Sequence, residues 1–217
     1  MSIKPVTTIK TEDPKPVIVI PDPNAAKGTV NKVTVTFNGD TKTSKGFTWY
    51  TTLASANSDM QLVQKTDKVA DFSKATKFSG KYSISTNSNS ELLHKAEATG
   101  LKPGTSYSFR VGDEKLNLWS ETGTIKTAST TGAFTFINLA DPQAKSEEEA
   151  ILASQTFAKA VETVKNSAFV SINGDLVDVG STEIQWDWLF GHSQNTLLNN
   201  TFVAAAGNHE EDQTAQC

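Results

Sequence analysis

The hydrophobic period changes once along this chain, near residue 130, and two different architectures follow from the change. From residue 29 to 128 apolar residues alternate over short runs. Val33, Val35 and Phe37 share one face, as do Phe47 and Trp49, and again Tyr107, Phe109 and Val111. A repeat of two belongs to half-buried strands. Turn signals separate the runs at Asn38-Gly39-Asp40, Ser79-Gly80, Thr99-Gly100 and Pro103-Gly104. No long helical stripe interrupts them, so residues 29–128 are expected to form an all-β sandwich.

Beyond a Ser/Thr-rich joint at 127–131 the pattern is different. Residues 133–140 are a continuous apolar-rich run, as expected for a strand covered on both faces. Ser146 predicts a helix N-cap, and Glu149 completes a capping box. Ala150, Ala153, Phe157, Val161 and Val164 then recur at helical spacing. Residues 168–173 predict a second strand, 181–199 a second helix weakened at Gly191, and 201–206 a third strand. This strand–helix–strand–helix–strand order predicts a parallel sheet, so the fold class is a β-sandwich followed by α/β.

Residues 1–28 hold five of the seven prolines and are expected to be an extended tail, with Val17-Ile18-Val19-Ile20 as a candidate edge strand. The formal charge of −4 comes without a basic cluster, which argues against a nucleic-acid surface. An anionic substrate therefore needs positive charge from elsewhere, and a bound metal supplies it. Cys217 is the single cysteine, so there is no disulfide within the chain and no cysteine zinc site. No apolar run is long enough to span a membrane, and the N-terminus lacks the apolar core of a signal peptide. Neither glycine-rich nucleotide motif occurs.

The polar residues that stand out follow the three predicted strands of the second half. Asp141 and Gln143 follow the first, Gly174-Asp175 the second, and Gly207-Asn208-His209-Glu210 the third. Open α/β sheets bind ligands at the carboxyl ends of their strands, so three segments converge on one rim. Taken singly, Asp141, Asp175 and His209 are ordinary turn or loop residues, and it is the convergence that carries the functional reading. Carboxylate and amide oxygens are hard donors suited to Mn, Fe, Zn or Mg. His94, His192, Trp186, Trp188, Phe190 and the run Glu147-Glu148-Glu149 are read as structural.

Two resemblances rest on these residues. Leu101-Lys102-Pro103-Gly104-Thr105-Ser106-Tyr107 resembles the corner of fibronectin type III domains. Asp141-Pro142-Gln143, Gly174-Asp175-Leu176-Val177-Asp178 and Gly207-Asn208-His209-Glu210, in that order, resemble the first three blocks of the calcineurin-like metallophosphoesterases. The sandwich before them, with Trp49, residues 94–107 and Trp119-Ser120, resembles the N-terminal domain of purple acid phosphatases.

Beyond the tail at 1–28, the resemblance implies a fibronectin-like sandwich at 29–128, and at 132–217 the first half of a metallophosphoesterase sheet sandwich. It implies a phosphate-ester hydrolase of the acid phosphatase type with two metal ions, Fe, Mn or Zn, and a secreted or cell-surface location. Asp141 binds the first metal, Asp175 bridges both, and Asn208 binds the second. His209 faces the phosphate to stabilise the transition state or protonate the leaving oxygen. Hydroxide generated on the metals attacks phosphorus in line.

This chain departs from the family pattern in three places. Gln143 stands where the superfamily usually has histidine, and is either a weak neutral ligand or a hydrogen-bonding group beside the ligands. Asp178 stands where purple acid phosphatases have the tyrosine that gives their colour, so no purple colour is expected and Asp178 is read as a hydrogen-bonding neighbour of the ligands. The family's further histidines lie downstream, and His94, His192 and His209 are the three histidines here. The expectation is about half of a metal site and little activity from the chain alone. The alternative function is a non-catalytic surface or binding module carrying a vestigial phosphoesterase domain.

Overall fold

The computed structural model describes residues 28–52, 57–85 and 90–211. Among them the first unit is made of strands β1 (Val30–Thr36), β2 (Lys45–Thr51), β3 (Asp59–Gln64), β4 (Thr76–Ser79), β5 (Lys81–Ile84), β6 (Leu92–Ala98), β7 (Ser106–Asp113), β8 (Leu118–Trp119) and β9 (Gly123–Lys126). One sheet has the order β1-β2-β6-β5; the other runs β4-β3-β7-β8, with β9 also on β7. All these pairings are antiparallel. The chain passes from one sheet to the other at Gly80, between β4 and β5. The candidate strand at Val17-Ile18-Val19-Ile20 lies outside the described residues.

The alternation read from the sequence is the burial pattern of the sandwich. Val33, Val35, Phe47, Trp49, Met60, Leu62, Phe109 and Val111 are buried between the sheets. Each contributes roughly 1.5–3 kcal/mol by leaving water. At the fibronectin-like corner, Leu101 is buried and the Tyr107 hydroxyl accepts the Lys102 N–H at 2.8 Å. His94 is fully buried on β6, stacked on Trp49 with ring centroids 5.2 Å apart. Its two ring nitrogens meet the hydroxyls of Thr51 at 2.8 Å and Ser58 at 2.9 Å.

The second unit consists of β10 (Ile137–Leu139), α1 (Glu147–Thr163), β11 (Val170–Asn173), α2 (Glu183–Asn199) and β12 (Phe202–Ala205). The three strands are parallel in the order β10-β11-β12. Ser146 caps α1 by accepting the Glu149 N–H, as its sequence predicts. One sheet face, with Ile137, Val170, Ile172 and Phe202, packs on Ala150, Ala153 and Phe157 of α1 and Leu189 and Leu197 of α2. The strand expected at 133–140 is shorter than its apolar run, because residues 133–136 are exposed and precede the pairing. Phe136 stacks instead on Phe169 at 4.8 Å, and Phe169 meets Phe37 of the sandwich edge-on at 5.2 Å. Gly191 does not break α2.

Helix α2 joins the two units. Its Leu198 belongs to the sandwich core, and a Cβ on Gly123 would stand 2.5 Å from the Leu198 carbonyl oxygen, so this close approach needs glycine. The Gln194 amide accepts the Val33 N–H at 2.8 Å and donates to the Val33 carbonyl at 3.0 Å, acting as a one-residue partner for edge strand β1. Lys45 is buried at the same interface. Its ammonium donates to the Thr201 hydroxyl at 2.8 Å, and burial lowers its pKa to about 8.

Burial pushes the His94 pKa from 6.5 down to about 4, against a weaker opposing pull from Asp113. The folded protein holds fewer protons at this site than the unfolded chain between those values. Stability is therefore lost as pH falls from 6.5 through 4, by up to about 3 kcal/mol. Urea unfolding of the wild type at pH 7 and pH 4 is expected to show this loss. A His94→Gln variant, less stable at pH 7, should show a flatter pH dependence; an equal slope would exclude His94 as the source.

Candidate functional site

The carboxyl ends of β10, β11 and β12 open onto one rim, and backbone hydrogen bonds tie the three following loops together. Asp141 N–H donates to the Gly174 carbonyl at 3.2 Å, Gln143 N–H to the Asp175 carbonyl at 2.7 Å, and Ala144 N–H to the Leu176 carbonyl at 3.2 Å. The loop after β12 is tied to the loop after β11 by Gly180 N–H, which donates to the His209 carbonyl at 2.9 Å. Asp141, Gln143 and Asp175 have φ of +56°, +39° and +52°. Side chains at positive φ are strained, and such strain collects where function over-determines the backbone.

The Asp175 carboxylate lies at the centre of the rim. Its Oδ1 accepts the His209 N–H at 3.0 Å. Gly207 lies flush against it, and a Cβ there would collide with the Asp175 carboxylate and come within 2.5 Å of the Asp175 nitrogen. His209 is half-buried. Its Nδ1 donates to the Asp178 carbonyl at 2.6 Å and lies 3.6 Å from the Asp178 carboxylate. Its Nε2 is 2.9 Å from the Gln143 amide nitrogen, which also donates to the Asp178 carboxylate at 3.2 Å. The Asp178 carbonyl raises the His209 pKa above the usual value, burial opposes it, and the nearby Asp175, Asp178 and Glu210 charges add to the rise.

Gln143, Asp178 and His209 are thus drawn together through side chains, and the Asp175 carboxylate meets the His209 backbone. Asp141 and Asn208 reach the same rim by their backbones, with exposed side chains. Asp141, Asp175 and Asn208 would offer only oxygen donors, which in chemistry suit hard or borderline cations such as Mn or Mg, Fe and Zn. The densest group of carboxylates among the described residues lies elsewhere. Glu91, Glu183 and Asp187 place oxygens within 4.8 Å of one another, and the Lys32 ammonium sits among them at 2.6, 2.5 and 2.5 Å. A lysine fills that cluster, so it offers no metal centre. A cavity of about 580 Å³ is lined by sandwich residues such as Leu62, Lys65, Lys74, Phe78 and Tyr107, away from the rim.

Glu210 is the site residue to which sequence reasoning gave no role. Its Oε2 accepts the N–H groups of Asp175 at 2.9 Å and Gly207 at 2.7 Å, and its Oε1 those of Leu176 at 2.7 Å and Val177 at 3.2 Å. Four loop donors that have no partner in the sheet are gathered by one carboxylate.

Comparison with known proteins adds a domain likeness and a fold likeness. Residues 30–127 match the family model described as the purple acid phosphatase N-terminal domain. A purple acid phosphatase, PPD1, from yellow lupin (Lupinus luteus) seeds is similar in structure, with a TM-score of 0.69 at 14% identity over 85% of this chain. PhoD is similar with a TM-score of 0.50 at 12% identity over 83% of this chain. At these identities the likeness is one of fold. The chain spans 36% of the lupin phosphatase and 39% of PhoD. No curated protein matches in sequence.

Replacing Glu210 by Gln is expected to lower stability by about 2–3 kcal/mol, since the charge that holds four N–H donors is removed. Hydrogen exchange should quicken at Asp175, Leu176 and Val177 in that variant. Unchanged exchange there would exclude the role given to Glu210. Over residues 30–127 this chain is similar to purple acid phosphatase N-terminal domains.

Proposed function

We propose that residues 29–128 are a fibronectin-like sandwich attached to residues 132–217, the N-terminal part of a metallophosphoesterase catalytic domain, and that the protein hydrolyses phosphoric monoesters as acid phosphatases do. The observation that carries this reading is the Asp175 carboxylate, held at the end of β11 by the His209 N–H and flush against Gly207, where all three strand ends meet. The likeness of the preceding domain to purple acid phosphatase N-terminal domains and the fold likeness to a purple acid phosphatase and to PhoD support it.

In this reading Asp141, Asp175 and Asn208 would hold two cations, with Fe, Mn or Zn as the metals. Bound cations supply Lewis acidity and a nucleophile at neutral pH. His209, fixed by the Asp178 carbonyl and beside the Gln143 amide, faces the substrate phosphate and holds a proton for the leaving oxygen. The Asp178 carboxylate orients Gln143, and Glu210 stiffens the loop that carries Asp175. A secreted or cell-surface location belongs to the same reading. Among the described residues no helix is long and apolar enough to cross a membrane.

A second reading, a binding module with a vestigial phosphoesterase half, is favoured by Gln143, whose amide is engaged by Asp178 and His209. Titration of the chain with Mn²⁺ discriminates between the two. Saturable binding that weakens at least tenfold in Asp175→Asn is expected from the hydrolase reading, and equal uptake by both proteins would sink it. Turnover of p-nitrophenyl phosphate by the chain alone is expected to be weak. With histidine-bearing sequence added after Cys217, turnover should rise, and His209→Ala should then lower it by about 10²–10⁴-fold.

A further inference from the structure

The Lys32 cluster joins the sandwich to the rim through a continuous set of contacts. β1 carries one extra residue between Asn31 and Thr34 relative to β2, and Lys32 sits in this bulge with φ +46°. Bulges re-aim side chains. The Lys32 ammonium, 3% exposed, meets Glu91 of its own sandwich and Glu183 and Asp187 of α2, one helical turn apart. Burial opposes its charge, but the hydrogen bonds that it donates to Asp187, Glu183 and Glu91 outweigh this and hold its pKa above the usual lysine range.

The same first turn of α2 grips the loop after β11. Gln185 Oε1 accepts the Val179 N–H at 2.8 Å, and Trp186 Nε1 donates to the Gly180 carbonyl at 2.8 Å. Thr182 N–H donates to the Val179 carbonyl at 2.9 Å. Gly180 in turn donates to the His209 carbonyl. Lys32, Glu183, Trp186 and Gly180 line one cavity of about 240 Å³ between the two units. The cation in the sandwich and the histidine on the rim are thus separated by one helical turn and one loop.

We propose that Lys32 is a positioning residue, which fixes the first turn of α2 through Glu183 and Asp187 and thereby holds the 178–180 loop, whose Asp178 carbonyl and Gly180 N–H are hydrogen-bonded to His209. The inference deepens the hydrolase reading, on which it rests for the importance of His209. It gives the sandwich a task in the site rather than a place beside it. Without the ammonium, three carboxylates within 4.8 Å repel one another, and α2 loses its fixed end.

Residue-resolved hydrogen exchange on the full chain tests this without reference to activity. In Lys32→Met, exchange at the Val179 and Gly180 amides is expected to quicken at least tenfold, while the Leu62 and Phe109 amides of the sandwich core change less than twofold. Lys32→Arg should bring the loop back to within threefold of the wild type. If Lys32→Met does not fold, the double variant Glu183→Gln/Asp187→Asn cuts the same link from the helix side and should give the same pattern. Unchanged loop amides, or equal quickening in loop and core, would overturn the proposal. A parallel Mn²⁺ titration of the wild type separates the two readings. Absent metal binding with the expected exchange pattern removes the hydrolase reading alone, and normal metal binding with an unchanged loop removes the role of Lys32 alone.

Discussion

Helix α2 buries Leu189 and Leu197 against the parallel sheet and Leu198 in the sandwich, so successive residues near its C-terminal end serve two hydrophobic cores. Everything at the rim depends on where this helix lies. Its first turn grips the loop after β11, and its last turn leads through Thr201 into β12, whose following loop begins with Ala206 and Gly207. Shifting α2 would move both the Asp175 and the His209 loops. Close packing passes such displacements on, because cores resist continuous deformation.

The polar contacts along α2 give this docking its direction. Apolar burial of Leu198 favours contact but fixes neither rotation nor register, since hydrophobic attraction is non-directional. Gln194 adds register by pairing with both backbone groups of Val33. Asn199 adds a further point by accepting from the Thr124 hydroxyl at 2.8 Å. These bonds also satisfy groups on strand β1, which as a sheet edge would otherwise be left without partners. The interface therefore resembles the inside of one domain more than a hinge between two.

Most of the architecture was legible in the sequence, because it is written in repeats. The alternation of Val33, Val35, Phe47, Trp49, Phe109 and Val111 named the sandwich core, and the Ser146–Glu149 box located the start of α1. The apolar run at 133–140 misled on length, since a run reports burial and not pairing, and its phenylalanines stack at the joint instead of extending β10. At the rim, the order of Asp141, Asp175, Asn208 and His209 after three strands was visible. Glu210 was not, because its partners are backbone N–H groups from two loops, which carry no side-chain signature. Lys32 was hidden for a related reason. It shares no period with Glu183 and Asp187, about 150 residues away, and its direction is set by a bulge that no local residue announces.

A buried lysine among three carboxylates is a costly way to gain stability, for well-packed apolar groups often do as well or better. Its use here follows from geometry. Apolar contacts tolerate sliding, whereas an ammonium shared by three oxygens within 4.8 Å has one arrangement that satisfies all of them. The three carboxylates come from a sandwich residue and from two positions one turn apart on α2, so that arrangement fixes the helix end in both rotation and height. The rim begins directly beyond this end, at the Val179 and Gly180 bonds. Ionic order is thus placed at the junction where a small rotation would be transmitted to His209, and apolar packing is left to the far end of the helix, where Leu198 anchors it.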